Sequence, residues 1–163
     1  MLIRSALALA GLLAAGACAS PPLVEPARPG EATVLRVIDG DTVEVLIGEH
    51  REPVRLIGVD TPEVAHPPDP ADCFGPEASA FVQSLLPPGT RVLLSRDEEA
   101  RDPYDRLLAY LVRAADDLDV NHALLEHGYA EVLSIAPNTA HAVDFARAEA
   151  DARAAGRGLW RAC

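Results

Sequence analysis

The chain has 163 residues and a formal net charge of −11, and all 14 of its basic residues are arginine. That balance excludes adhesion to nucleic acid over the whole surface, because such binding is carried by clustered basic groups that neutralise phosphates. Any polyanion site must be a local arginine cluster in an acidic field, a field that also suits cation binding.

The first stretch, MLIRSALALAGLLAAGACAS, joins Arg4 to an apolar run and then to small residues, the layout of an export signal over residues 1–19. Its apolar run is shorter than the ~20 residues that a membrane-crossing helix needs, so no permanent span is expected. Two processing outcomes stay open. One is release at the small-x-small site Ala17-Cys18-Ala19; the other is lipid attachment at Cys18, with Ala15 where lipoproteins usually carry Leu. The product is expected to be exported: secreted, periplasmic, or lipid-anchored to the cell envelope. Residues 20–31 are rich in Pro and read as a stiff tether, and the folded domain is expected over 32–163. With Cys18 removed or acylated, Cys73 and Cys163 remain, an even pair in a compartment that permits disulfides. They are expected to bond and pin the C-terminus to the start of the first helix; two unpaired buried thiols are the alternative.

From Thr33 the pattern is short strands, TVLRVID, TVEVLIG and PVRLIGV, β-branched and separated by Asp-Gly and Gly-Glu-His-Arg turns. This predicts a three-strand meander. The prolines of DTPEVAHPPDPADCFG make the next segment a loop. PEASAFVQSLLPPG reads as a helix, with Pro76 in its first turn and Pro87-Pro88-Gly89 ending it. RVLLS and LLAYLVR are two further strands around the exposed loop RDEEARDPYD. DVNHALLEHG is a second helix stopped by Gly128, and TAHAVDFARAEADARAAG a third, opened by Thr139 and ended by Gly156. The expected fold is α+β: a five-stranded OB-type β-barrel with three helices, an architecture whose face and loops often bind nucleic acids or sugars. A fold of itself does not decide a function.

Several polar residues interrupt this pattern. Asp41 opens the second strand, Arg55 lies inside the third, and Asp60, Thr61 and Glu63 follow it. Asp39-Gly40-Asp41 reads either as a tight hairpin turn or as part of a cation site. Asp60 and Thr61 read either as a turn before Pro62 or, with Asp41, as oxygen ligands for a hard cation such as Ca²⁺. An arginine in an apolar strand is costly without a partner, so Arg55 must pair with a carboxylate or face a ligand, and its planar fork suits phosphate. Arg106 stands at the edge of the fifth strand. Together these residues hold the parts of a phosphodiester hydrolase: a cation, two arginines for developing negative charge, and in Glu63 a carboxylate to orient or deprotonate water.

The motifs VIDGDTVEV, VRLIGVDTPE, HPPDPADCFGPEASAFV, DPYDRLLAYL, VNHALLEHGYA and AEADARAAGRGLW resemble, in order and at similar spacing, the successive signatures of the staphylococcal nuclease family. The resemblance runs from about Ala32 to Trp160. It implies an OB-fold endonuclease that hydrolyses DNA and RNA with Ca²⁺ and leaves 3′-phosphate ends. It further implies Asp41 and Asp60 as carboxylate ligands, the Thr61 carbonyl as a third, Glu63 as general base, and Arg55 and Arg106 as the phosphate clamp. Asp39 would support the metal site and Tyr104 would help position a phosphate. The chain departs from the family pattern in two places. Asp105 stands where Gly usually precedes the second arginine, and Ser134 and Ala136 stand about where the family has nucleotide-stacking tyrosines, which implies weaker contacts with the base.

Two other readings fit the barrel: a noncatalytic OB-fold envelope module that binds nucleic acid or a protein partner, and a domain that uses Ca²⁺ only for folding. The first would usually lack Glu63 or one arginine, and the second gives no reason for Arg55 and Arg106. His66 is expected in a positioning or solvent role and His122 on a helix surface or cap. No stable protein partner is implied and no apolar stripe demands a dimer, so a monomer is expected.

Overall fold

The computed structural model describes residues 28–163. The export signal and the lipidation site at Cys18 lie outside the described residues, as does most of the tether. Strands β1 (Glu31–Asp39), β2 (Thr42–Ile47) and β3 (His50–Leu56) form the expected meander. After the short strand β4 (Gly58–Asp60) come helix α1 (Gly75–Leu85) and strands β5 (Arg91–Ser95) and β6 (Leu107–Arg113). β5 pairs antiparallel with both β1 and β6, and β6 returns parallel to β3. The five strands thus close into the expected OB-type barrel. Valines at 34, 43, 45 and 54 and leucines 56 and 111 fill it, with no exposure above 1%.

Local chemistry decides how polar residues leave this core. In β1, Ala32 and Val34 face inward, and continued alternation would turn Asp39 out. Two register shifts, between Val34 and Arg36 and between Val37 and Asp39, insert extra residues, and Asp39 ends buried. Each one-residue bulge exchanges the faces of everything beyond it, so the two together cancel: Asp39 lies opposite Thr42, on the outer face of the sheet that also carries Arg55, and is buried there outside the barrel. The expected third strand PVRLIGV is in fact two, because the chain turns at Ile57 and Gly58. Gly58 has φ +79°, and a Cβ there would lie 2.7 Å from the Phe145 ring. The corner is held by Asn121, fully buried, whose amide donates to the Ile57 carbonyl and whose oxygen accepts from the Leu111 N–H. β4 then leaves the barrel and pairs with β8 (Glu131–Leu133).

The remaining elements are β7 (Leu118–Asp119), α2 (Val120–Glu126), α3 (Ala142–Ala154) and a four-residue helix α4 (Leu159–Ala162) that the sequence pattern did not suggest. Pro76 sits in the first turn of α1, and Gly128 and Gly156 lie just past α2 and α3 with positive φ, each as expected. Asp119 caps α2 by accepting from the His122 N–H, and His122 lies on the half-exposed helix surface. Thr139 does not open α3, which starts three residues later after His141. In the turn before it, the Asp97 carboxylate accepts from the Ala140 N–H and the Tyr110 hydroxyl.

Cys73 and Cys163 are joined by a disulfide across a separation of 90 residues, as the cysteine count led one to expect. Closing a loop of that length stabilises the fold by about 4–5 kcal/mol in the chain-entropy account.

Gly58→Ala combines a left-handed backbone with overpacking against Phe145, so it should lower unfolding stability by roughly 2–4 kcal/mol. Urea unfolding of both proteins measures this; a loss below about 1 kcal/mol would mean that the corner relaxes without cost.

Candidate active site

At the end of the barrel where β1 meets β2, Gly40 and Asp41 connect the strands. The Asp-Gly signal predicts a turn in which Gly takes positive φ, but Gly40 is not among the residues with positive φ. Its lack of a side chain serves a close approach, since a Cβ would lie 2.6 Å from the Thr61 hydroxyl. The loop therefore turns the hairpin and also lets the segment after β4 lie directly on it. Thr61 donates to the Asp41 Oδ2 from its N–H at 3.1 Å and from its hydroxyl at 3.2 Å, while Thr42 donates to Oδ1 at 3.0 Å.

Arg55 faces away from the barrel interior, between the buried Val54 and Leu56. Its position in β3 sets it opposite Thr42 on β2 and Leu108 on β6, next to the Asp41 loop. One guanidinium nitrogen, Nη1, donates to the carbonyls of Leu56 and Val59, and the other, Nη2, reaches Asp41 Oδ2 at 3.1 Å and Asp60 Oδ1 at 2.9 Å. Burial pushes the Asp41 carboxyl above its ordinary pKa, against the Arg55 charge and the hydrogen bonds from Thr61 and Thr42. The ion-pair reading and the site reading of Arg55 thus coincide.

Arg106 comes to the same place from the other side. Asp102 accepts from its backbone N–H at 2.9 Å and from its Nε at 2.6 Å. Burial works against ionisation of Asp102, but the bonds from Arg106 outweigh it and hold that carboxyl below its usual range. The sequence reading passed over Asp102; the signal available was a carboxylate four residues before the arginine in DPYDR. Asp105 has φ +65°, so it adopts the left-handed backbone for which glycine is the usual choice. Its carboxylate turns towards Arg101, at 3.5 Å, and the partner of Arg106 is Asp102. Tyr104, highly exposed, lies with its ring centroid 5.5 Å from the Arg106 guanidinium carbon, a cation–π distance.

A cavity of about 380 Å³ is lined by Asp39, Asp41, Arg55, Glu63, His66 and Arg106 among others. Glu63 is hydrogen-bonded to Asp39, and this bond, with burial and the charges of Asp39 and Asp41, pushes its carboxyl up to about 7; His66 opposes the shift. His66 is thus at the cavity wall, its Nδ1 2.9 Å from the Val64 carbonyl oxygen. An adjoining cavity of about 270 Å³ shares Arg55 and Arg106 and is walled by Tyr104, Leu133 and Ile135. The apolar wall therefore comes from Leu133 and Ile135, the neighbours of Ser134 and Ala136.

Among the described residues no group of three or more His, Cys, Asp or Glu side chains is spaced to hold a metal ion. A hard cation does not require one, since carbonyls and water complete its shell. Asp41 and Asp60 direct oxygens at a single guanidinium nitrogen, and this oxygen-only set, with the adjacent Thr61 carbonyl, fits such an ion.

A closed five-stranded barrel with helices packed outside it, and a loop-walled cavity at one end, defines an OB-type domain. The family profile described as staphylococcal nuclease homologue matches residues 53–162, and the chain belongs to that family. It is 38% identical over 127 residues to a thermonuclease of Staphylococcus intermedius, covering 78% of this chain and 74% of that protein. With a thermonuclease of Staphylococcus hyicus the identity is 34% over 127 residues, covering 78% and 73%. The endonuclease YhcR of Bacillus subtilis is 33% identical over 151 residues, which is 83% of this chain and 12% of YhcR.

A carboxyl raised by folding binds its proton more tightly in the native state. In metal-free protein, stability should therefore fall as pH rises from about 4.5 to about 7, the ordinary and the raised values for Glu63. Asp39→Ala removes both the hydrogen bond and the charge that raise it and should bring the Glu63 titration, followed by carboxyl NMR shifts, back towards 4.5. An unmoved midpoint would show that Asp39 is not the cause.

Proposed function

We propose that the protein is an exported, calcium-dependent endonuclease that hydrolyses the phosphodiester bonds of DNA and RNA and leaves 3′-phosphate ends. The observation that carries this reading is the meeting of Arg55, Arg106 and Glu63 at one cavity beside the paired oxygens of Asp41 and Asp60. The names of the relatives, thermonuclease and endonuclease, point the same way. In this proposal Ca²⁺, held by Asp41, Asp60 and the Thr61 carbonyl, supplies positive charge to the phosphoryl oxygens.

The chain's own residues do the rest. Glu63, with a carboxyl balanced near neutral pH, accepts a proton from the attacking water, the range in which a general base works best. Arg55 and Arg106 donate to the phosphoryl oxygens as charge builds on them, each already oriented by its carboxylate partner, so little reorganisation is needed. Tyr104, at the wall of the adjoining cavity beside Arg106, helps to seat a phosphate. Asp39 acts through Glu63. The residues before 28 carry export, either by release or by a lipid at Cys18, and the domain acts as a monomer. With a net charge of −11, affinity for a polyanion should depend strongly on salt and on the cation.

Single-stranded DNA should be cut in the presence of Ca²⁺ and left intact with a chelator. Glu63→Gln should lower kcat by about 10²–10⁴-fold. Arg55→Lys keeps a charge beside Asp41 but loses the fork, and should lower it by about 10²–10³-fold. A folded, calcium-binding wild type that leaves DNA and RNA intact would overturn the proposal in favour of a noncatalytic OB-fold module.

A further inference from the structure

Glu63 stands on the exposed segment that joins β4 to α1, where its side chain meets Asp39. None of residues 62–73 is buried, so no apolar anchor fixes it to the core. What fixes the turn is a reciprocal pair of hydrogen bonds: the Glu63 N–H donates to Asp72 Oδ2 at 3.2 Å, and the Asp72 N–H donates to the Glu63 carbonyl at 2.9 Å. The backbone of Gly75 closes over the same carbonyl so tightly that a Cβ would come within 2.1 Å of it.

The residue after Asp72 is Cys73, and its disulfide leads to the last residue of the chain. That end is well anchored. Leu159 is buried and its N–H donates to the Gly128 carbonyl at 2.8 Å, Gly158 packs backbone to backbone against Gly128, and Cys163 donates to the Leu159 carbonyl at 2.9 Å. The bridge also borders a cavity of about 550 Å³ whose wall includes Asp60, Thr61 and Glu63. The exposed turn that carries Glu63 is therefore tied covalently, at the residue after Asp72, to a fixed part of the scaffold.

We propose that Asp72 and the Cys73–Cys163 disulfide together form a positioning device for Glu63: the bridge fixes Asp72, and Asp72 fixes the backbone of the carboxylate. The catalytic consequence rests on the nuclease reading above. The two arginines are held by other contacts, so losing the device should affect turnover and spare substrate binding. A misplacement of about 1 Å at a reacting group lowers rates by about 10²-fold.

The test uses the full chain with its bridge formed, beside Cys73→Ser/Cys163→Ser, Asp72→Ala and Asp72→Asn. The double variant and Asp72→Ala should each lose about 10–100-fold in kcat on single-stranded DNA with Ca²⁺, with KM within about twofold. Asp72→Asn keeps an acceptor oxygen and should stay within about threefold of wild type. Amide exchange at Glu63 and Asp72 in the double variant should quicken at least about tenfold while the barrel strands stay protected. If the double variant does not fold, reduction of folded wild type by a dithiol replaces it: the S–S bond breaks, each sulfur takes a proton, and the reagent is oxidised to its own disulfide. Unchanged kcat and exchange alongside a lower melting temperature would overturn the proposal and leave the bridge a stabilising link only. A wild type that cuts nothing defeats the nuclease reading; exchange then decides alone, quickened rates supporting the device and unchanged rates overturning it.

Discussion

One guanidinium group holds together the parts of this structure that bear on its chemistry. Arg55 binds the carbonyls of Leu56 and Val59 on either side of the barrel corner, the Asp41 carboxylate from the hairpin loop, and the Asp60 carboxylate at the end of β4. Two charges taken out of water are stable only when each is paired and its remaining bonding capacity is filled. Asp41 meets that condition through Arg55, Thr61 and Thr42. Removing any one of these partners leaves a buried charge short of compensation, so the site and this end of the barrel stand or fall together.

The same constraint explains why the cluster holds carboxylates of unequal character. Asp41 is buried and raised in pKa, Asp102 is held low by the bonds from Arg106, and Glu63 shares a hydrogen bond with Asp39 and is raised to about 7. Environments that push like groups apart in proton affinity allow different tasks across two adjoining cavities. In a chain as acidic as this one, the two arginines that face the cavity are the local exception. Each is held by an aspartate, which fixes its direction and tempers its charge.

Asp105 shows how the chain absorbs a departure from the family pattern. A non-glycine residue in the left-handed region carries a steric cost, which Asp tolerates better than most side chains. Its carboxylate pairs with Arg101, which also contacts Glu52 and the Asp105 carbonyl. The extra negative charge is thus drawn away from Arg106. The adjoining cavity, which shares Arg55 and Arg106, has an apolar wall in Leu133 and Ile135.

The five barrel strands and the three longer helices were legible in the sequence because they rest on local signals: period-two alternation, prolines and glycines at helix ends, and β-branched runs; the short strands β4, β7 and β8 were not. Arg55 was legible as a polar anomaly in an apolar strand, and the bridge between Cys73 and Cys163 was expected once Cys18, the third cysteine, was assigned to the export segment. What the sequence could not supply were the partners. The bulges that set Asp39 opposite Thr42, Thr61 on Gly40, the Asp102 clasp on Arg106, and Asp72 beside Glu63 each depend on where distant segments lie in space, and loops carry no periodicity to read. Asp97 likewise reaches the turn before α3 from more than forty residues away. Sequence by itself determined which elements form and which residue types are available for chemistry, because propensity and patterning act over a few residues. Only the tertiary structure decided which charges meet, because burial and pairing are settled by contacts between distant segments.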